Sequence, residues 1–301
     1  MFVTEDIRYI GVNDHDVDLF EGQYTVENGM SYNSYVILDE KVAVMDTVDA
    51  HFGVEWLQNL ETELNGRRPD YLVVQHMEPD HSANIAVFME TYPEAQIVSS
   101  AKAFVMMQQF FGTDFPERKV VVGEGSTLKL GRHTLTFVTA PMVHWPDNMV
   151  SFLTPDNILF SNDAFGQHYA SDERLDTECD LPEAFIQARK YYANIVQPYG
   201  MQTGKALAAV AGLPIAAIYP SHGICWTKHI PDILALYKSW VANEYDDTAI
   251  IVYDTMWHST EAMAHAIENA FLACGLKPRL YNLHYCHNSD IIADAMTAKY
   301  I

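Results

Sequence analysis

Cysteine is scarce in this chain: four residues in 301, Cys179, Cys225, Cys274 and Cys286, with no Cys-x-x-Cys pair. That spacing excludes an attached rubredoxin or zinc ribbon, and it offers no disulfide framework for a chain of this length. Basic residues are also few, 18 Lys and Arg against 40 Asp and Glu, for a net charge of -22. A surface of that sign repels phosphate backbones and anionic membranes, so neither is an expected partner. No uncharged run approaches the roughly 18 residues of a membrane helix. Residues 1–30 lack the apolar core of a signal peptide, so the expected location is the cytoplasm. What is plentiful is core material, 49% hydrophobic and 12% aromatic, which excludes a disordered chain. The length suggests about two domains.

From residue 31 to about 230, short apolar strands alternate with amphipathic helices. Strands are expected at Tyr35–Leu38, Val42–Met45, Tyr71–Gln75, Gln96–Ser99, Val120–Val122 and Ala216–Tyr219. A hairpin, Met149–Leu153 with Asn157–Ser161, flanks the turn Thr154-Pro155-Asp156. Helices are expected at Phe52–Leu64 (with Val54, Leu57, Leu60 and Leu64 on one face), Asn84–Tyr92, Ala101–Phe111, Leu181–Val196, Pro198–Ala211 and Ile230–Glu244. After the polar junction Tyr245-Asp246-Asp247 the texture changes. Strand Ala249–Tyr253, helix Glu261–Cys274, strand Leu280–Leu283 and helix Asp290–Ala298 read as β-α-β-α, the opening of a doubly wound sheet.

The strongest signal is His76-Met77-Glu78-Pro79-Asp80-His81, directly after a buried strand. Four metal-binding side chains converge within six residues, with Pro79 expected to keep the loop extended. His144 (in Pro141-Met142-Val143-His144-Trp145-Pro146), Asp163 and His222 are each a ligand-type residue just past an apolar segment, where the functional loops of layered α/β folds collect. Three carboxylates and four imidazoles with no thiolate suit iron or manganese. Seven side chains exceed the needs of one tetrahedral zinc, and fit two ions sharing a carboxylate with positions left open for a small ligand.

The words HMEPDHS, PMVHWPDN, LFSNDAFGQH and YPSHG resemble the flavodiiron (A-type flavoprotein) family, and the resemblance covers essentially the whole chain. It implies an α/β architecture: a four-layer αββα metallo-β-lactamase-like sandwich, residues 1–246, followed by a partial flavodoxin-like doubly wound domain, 248–301. Hydrolases of that superfamily carry His-x-His-x-Asp-His for zinc, whereas Glu78 stands at the third position here. Carried over residue by residue, His76, Glu78 and His144 would bind one iron, Asp80, His81 and His222 the other, and Asp163 would bridge. Some members have His-Gly before the Tyr-Asn-Ser-Tyr strand; this chain has Glu21-Gly22, which leaves its gas preference open. His168 and Trp145 sit beside ligands, and either line the pocket or serve ordinary packing.

In the second unit, Thr255, Met256, Trp257, His258, Ser259 and Thr260 join a strand to a helix N-terminus, where backbone N–H groups and the helix dipole favour a phosphate. The resemblance makes this the FMN phosphate turn. The unit reads as the opening part of its domain, so little FMN binding is expected of these residues alone. The implied activity is reduction of dioxygen to water or nitric oxide to nitrous oxide at two non-haem irons. Electrons would come from rubredoxin or another reduced carrier through FMN, across a head-to-tail homodimer or tetramer. The rival readings are a zinc hydrolase of the metallo-β-lactamase type and an oxygen-binding sensor without turnover.

Overall fold

In the computed structural model, residues 4–301 are described. Two mixed sheets stack face to face. The first has six strands in the order Ile7–Tyr9, Tyr35–Leu38, Val42–Met45, Tyr71–Val74, Gln96–Ser100 and Lys119–Val122. The second has five, in the order Thr127–Lys129, Thr134–Thr139, Met149–Thr154, Ile158–Asn162 and Ala217–Pro220.

The period-2 alternation of side chains sorts each strand between two cores. In Val42–Met45, Ala43 and Met45 point into the inter-sheet core with Phe137, Ile158 and Phe160. Val42 and Val44 point outward, beneath helices, with Trp56, Leu60 and Phe88. Helices Gly53–Leu64, Ile85–Thr91 and Ala101–Phe111 cover the first sheet; Leu181–Tyr191, Gly200–Val210 and Ile230–Val241 cover the second. This is the four-layer αββα sandwich expected from the resemblance.

Three expectations are corrected. Val54 does not share the buried face of its helix but is 73% exposed; Trp56 takes that place, its indole N–H donating to Ser34 Oγ at 3.0 Å. Pro79 does not hold an extended loop: it begins a short helix, Pro79–Ser82, where its missing N–H costs nothing and its fixed φ suits the first turn. The span Leu181–Val196 is not one α-helix, since its last five residues, Tyr192–Val196, widen into a π-helical turn. Several short strands between residues 7 and 32 were unanticipated, because segments of two or three residues carry no periodicity.

Residues 248–301 form a parallel pair, Thr248–Tyr253 with Lys277–Asn282, and Tyr300 bridges the free side of the first strand at Ala249. Helix Asn288–Ala295 packs on the π-turn, where Asn194 Nδ2 donates to the Ser289 carbonyl at 3.0 Å. Arg189, Arg279 and Tyr281 all close on the Asp294 carboxylate. No helix among the described residues is long and apolar enough to cross a membrane.

Candidate metal centre

All seven ligand-type residues meet at one end of the sandwich. Tyr71–Val74 delivers His76 and Glu78, and the helical turn Pro79–Ser82 adds Asp80 and His81. The loop between Thr134–Thr139 and Met149–Thr154 carries His144, Asp163 directly follows Ile158–Asn162, and His222 lies two residues past Ala217–Pro220. Six of the seven are no more than 7% exposed, and Glu78 is half-buried.

They form two groups. In the first, His76 Nε2 lies 3.4 Å from Glu78 Oε2 and 3.5 Å from Asp163 Oδ2, and His144 Nε2 lies 3.0 and 3.4 Å from the same two oxygens. In the second, His81 Nε2 is 3.5 Å from Asp80 Oδ1 and 3.0 Å from Asp163 Oδ1. His222 Nε2 is 3.2 Å from Asp80 Oδ2 and 3.5 Å from Asp163 Oδ1. Donor atoms arranged around one ion at about 2.1 Å would stand roughly 3–3.5 Å apart, so each group has the dimensions of a first coordination shell. His76 Nε2, both Asp80 carboxylate oxygens and Asp163 Oδ2 are buried with no hydrogen-bond partner, which is costly unless a cation faces them. The residues therefore fit metal ions, and the all-oxygen-and-imidazole donor set suits iron.

Electrostatics agree. Burial opposes charge on His222, yet the Asp163 and Asp80 carboxylates raise it to about 10. His76 is likewise raised well above the usual imidazole range, against its burial, by Asp147 and Glu78. Glu78 is held down at about 2, its desolvation outweighed by His144 and His76. The pocket thus carries a strong negative field of the kind a cation neutralises.

Three supporting groups were not legible in advance. Asp147 is buried and its Oδ2 accepts the Met77 N–H at 2.7 Å while facing His76 Nδ1 at 3.2 Å, which orients that imidazole. Its signal was its place three residues after His144 in the same word. The Ser31 carbonyl faces His222 Nδ1 at 2.7 Å. Thr47 holds the His81 carbonyl by its hydroxyl at 2.7 Å and its amide at 2.8 Å.

Around the ligands stand aromatic rings. Trp145 meets His76 edge-on at 5.2 Å, and Phe20 meets His222 at 5.6 Å. His168 is fully buried, packed on Tyr191 at 5.0 Å, and neither ring nitrogen has a hydrogen-bond partner; burial holds its pKa well below the usual value. An open cleft of about 400 Å³ reaches Glu78 and Asp80, with Glu21, Phe20 and Tyr32 on its wall. Desolvation against this wall, together with the Glu78 charge, pushes Glu21 up to about 7. The turn Thr255–Thr260 lies in the other unit, away from these seven residues in the chain. Met256 and Trp257 are 86% and 85% exposed there, and helix Ser259–Ala273 begins with no side-chain cap on its first amides.

Comparison with known proteins decides the family. Residues 30–223 match the ODP family beta lactamase description. A nitric oxide reductase of Moorella thermoacetica is 36% identical over 301 residues, spanning 99% of this chain and 75% of that protein. The anaerobic nitric oxide reductase flavorubredoxin of Escherichia coli O1:K1 is also 36% identical, over 99% of this chain and 63% of its own length. Among solved structures, rubredoxin oxygen:oxidoreductase from the anaerobe Desulfovibrio gigas superposes with a TM-score of 0.95 at 33% identity, covering 99% of this chain and 75% of that one. The flavodiiron protein of Giardia intestinalis gives 0.93 at 30%, covering 97% and 71%.

This chain belongs to the flavodiiron family. As a flavodiiron protein it is an oxidoreductase on a metallo-β-lactamase-like fold, and its two ligand groups lie in the domain that carries the family match.

Proposed function

We propose that the chain binds two irons at these seven residues and reduces dioxygen to water, or nitric oxide to nitrous oxide, with electrons arriving through FMN. The observation that carries this reading is Asp163: its Oδ2 faces His76 and His144 while its Oδ1 faces His81 and His222. One carboxylate presents a different oxygen to each group and so could serve an ion in each. A ferrous pair supplies electrons and open coordination positions to a small gas molecule. The protein's own part is placement and exclusion. His76, Glu78 and His144 hold one ion, Asp80, His81 and His222 the other, and Phe20, Tyr191 and Trp145 keep bulk water off the ligand rings.

Glu78 replaces a softer imidazole by a carboxylate and so biases the first group from zinc toward iron. Both reductions consume protons, and Glu21, which shares the open cleft with Glu78 and Asp80, is a candidate acid to supply them. The FMN phosphate would sit at Thr255–Thr260, on the open N-terminus of helix Ser259–Ala273. The donor to the flavin would be rubredoxin or a similar reduced carrier, and a head-to-tail homodimer would bring one chain's flavin to its neighbour's iron.

The test is anaerobic loading with ferrous iron, metal analysis, and gas consumption by the reduced protein. About two irons per chain with dioxygen or nitric oxide uptake is expected; one zinc, or no uptake of either gas, refutes the reading.

A further inference from the structure

Between helix Gly200–Val210 and the outer face of the second sheet lies a cavity of about 30 Å³. A single water needs about 10–15 Å³ of such space, so the cavity has room for a diatomic molecule. Its lining is carbon. The three hydroxyls that reach it are already engaged with backbone: Ser161 Oγ donates to the Ala164 carbonyl at 2.7 Å and Thr203 Oγ1 to the Tyr199 carbonyl at 3.1 Å. The Tyr237 hydroxyl accepts the Phe165 N–H at 2.7 Å. Almost none of the polar surface of these hydroxyls faces the cavity, so water held there would be poorly partnered, and apolar cavities of this kind stay dry.

Its position is as informative as its chemistry. Val143 and Ala164 form part of the wall, and each is the immediate chain neighbour of a ligand, His144 and Asp163. Ala206 and Leu207, on the covering helix, form another part and are half-exposed. One wall of the cavity is thus formed by a partly exposed helix face and another by residues next in sequence to two ligand-type residues. The open cleft at Glu21 approaches the site from another side, at Glu78 and Asp80.

We propose that this cavity is a binding site for the small apolar gas, a holding place on its route to the metal centre; this rests on the gas-reductase reading above. A neutral diatomic gas partitions from water into carbon-lined space, while protons and water take the polar cleft. Two routes of opposite polarity would serve reactants of opposite polarity.

The test joins a structural readout to a kinetic one. Crystals of the iron-loaded protein under xenon should show xenon in the cavity. Ala206→Phe should fill it, abolish the xenon peak and leave iron content unchanged. The bimolecular rate constant of the dithionite-reduced protein with dioxygen or nitric oxide should then fall about fivefold, as expected when access and not chemistry is impaired. Ala206→Leu, a smaller intrusion on the same half-exposed helix face, gives an intermediate effect and guards against a folding defect in the larger variant. Absence of xenon from the native protein overturns the proposal, and so does an unchanged gas rate in a variant that excludes xenon. If the native protein consumes neither gas, the functional reading fails separately, and xenon occupancy alone decides whether the cavity takes an apolar gas.

Discussion

Replacing Asp147 by Asn tests whether a residue outside the seven ligands sets their geometry. Its Oδ2 accepts the Met77 amide at 2.7 Å and faces His76 Nδ1 at 3.2 Å, in a fully buried setting. Both contacts involve a charged acceptor and contribute about 1.5–3 kcal/mol each, against about 0.5–1.5 kcal/mol for a neutral one. Asparagine keeps the shape and one oxygen, so about 1 kcal/mol per contact is lost. Its amide group also stands where Asp147 Oδ1 now has no partner, adding a buried donor with nothing to donate to. Loss of a carboxylate behind a ligating histidine costs about 10–100-fold in metal affinity. The expected outcome is a drop of that size in iron affinity for the His76, Glu78 and His144 group, measured by chelator competition on anaerobically loaded protein. The Asp80, His81 and His222 group serves as internal control and should change by much less. Affinity within a factor of about two of the native value at both positions, in a variant with native circular dichroism, would refute the assignment of Asp147 as the group that orients His76.

Asp163→Ala should strip most iron from both positions, seen by metal analysis, because each group loses one oxygen of the shared carboxylate. Glu78→His should raise the zinc-to-iron ratio of protein from cells supplied with both metals. Gly223→Ala forces a φ of +80° on an L residue and sets a Cβ 2.1 Å from Gln167 Oε1, which accepts the Ile224 amide. Strain of about 1 kcal/mol and a disturbed buried hydrogen bond of similar size should lower Tm by about 4–8 °C in a calorimetric scan. Asp39 links the two sheets: burial would raise its pKa, but the amides of His133, Glu40 and Arg132 outweigh this and hold it at about 2. Its depressed value means that its stabilisation is complete above about pH 4 and disappears as pH falls through about 2. Asp39→Asn should therefore destabilise at pH 5 and make little difference at pH 2, by denaturant titration.

The seven ligand-type residues stand out in the sequence as charged or imidazole side chains placed just past apolar segments, and the structure brings them together. The strand Tyr71–Val74 running into His76 is the clearest case. The layered fold followed from the same alternation, with Val42 and Val44 separating cleanly from Ala43 and Met45. What stayed hidden depends on contacts between distant parts of the chain. Asp147 meets His76 across 71 positions, and the Ser31 carbonyl meets His222 across 191. A backbone carbonyl leaves no trace in residue type. The burial of Trp56 and not Val54 follows from helix phase: Gly53, Trp56, Leu60 and Leu64 share one face at helical spacing, and Val54, two residues from Trp56, points away from it. The cavity under Gly200–Val210 is equally silent in the sequence, since it arises from side chains that stop short of one another.

Each ligand group draws on both sheets: His76 and Glu78 come from the first, His144 from the second, and Asp80 and His81 from the first meet His222 from the second. Bound ions would then act as rivets through the sandwich, crosslinking two layers that are otherwise joined by apolar packing and loops. Without them, Glu78, Asp80 and Asp163 depend on the surrounding imidazoles alone for charge compensation. Metal supply and folding become a single equilibrium: an ion present at about a thousand times its Kd adds about 4 kcal/mol to the native state. Chains made in iron-starved cells would open first at this edge and be the ones removed by proteolysis, so the standing amount of folded protein would itself report how much iron the cell holds.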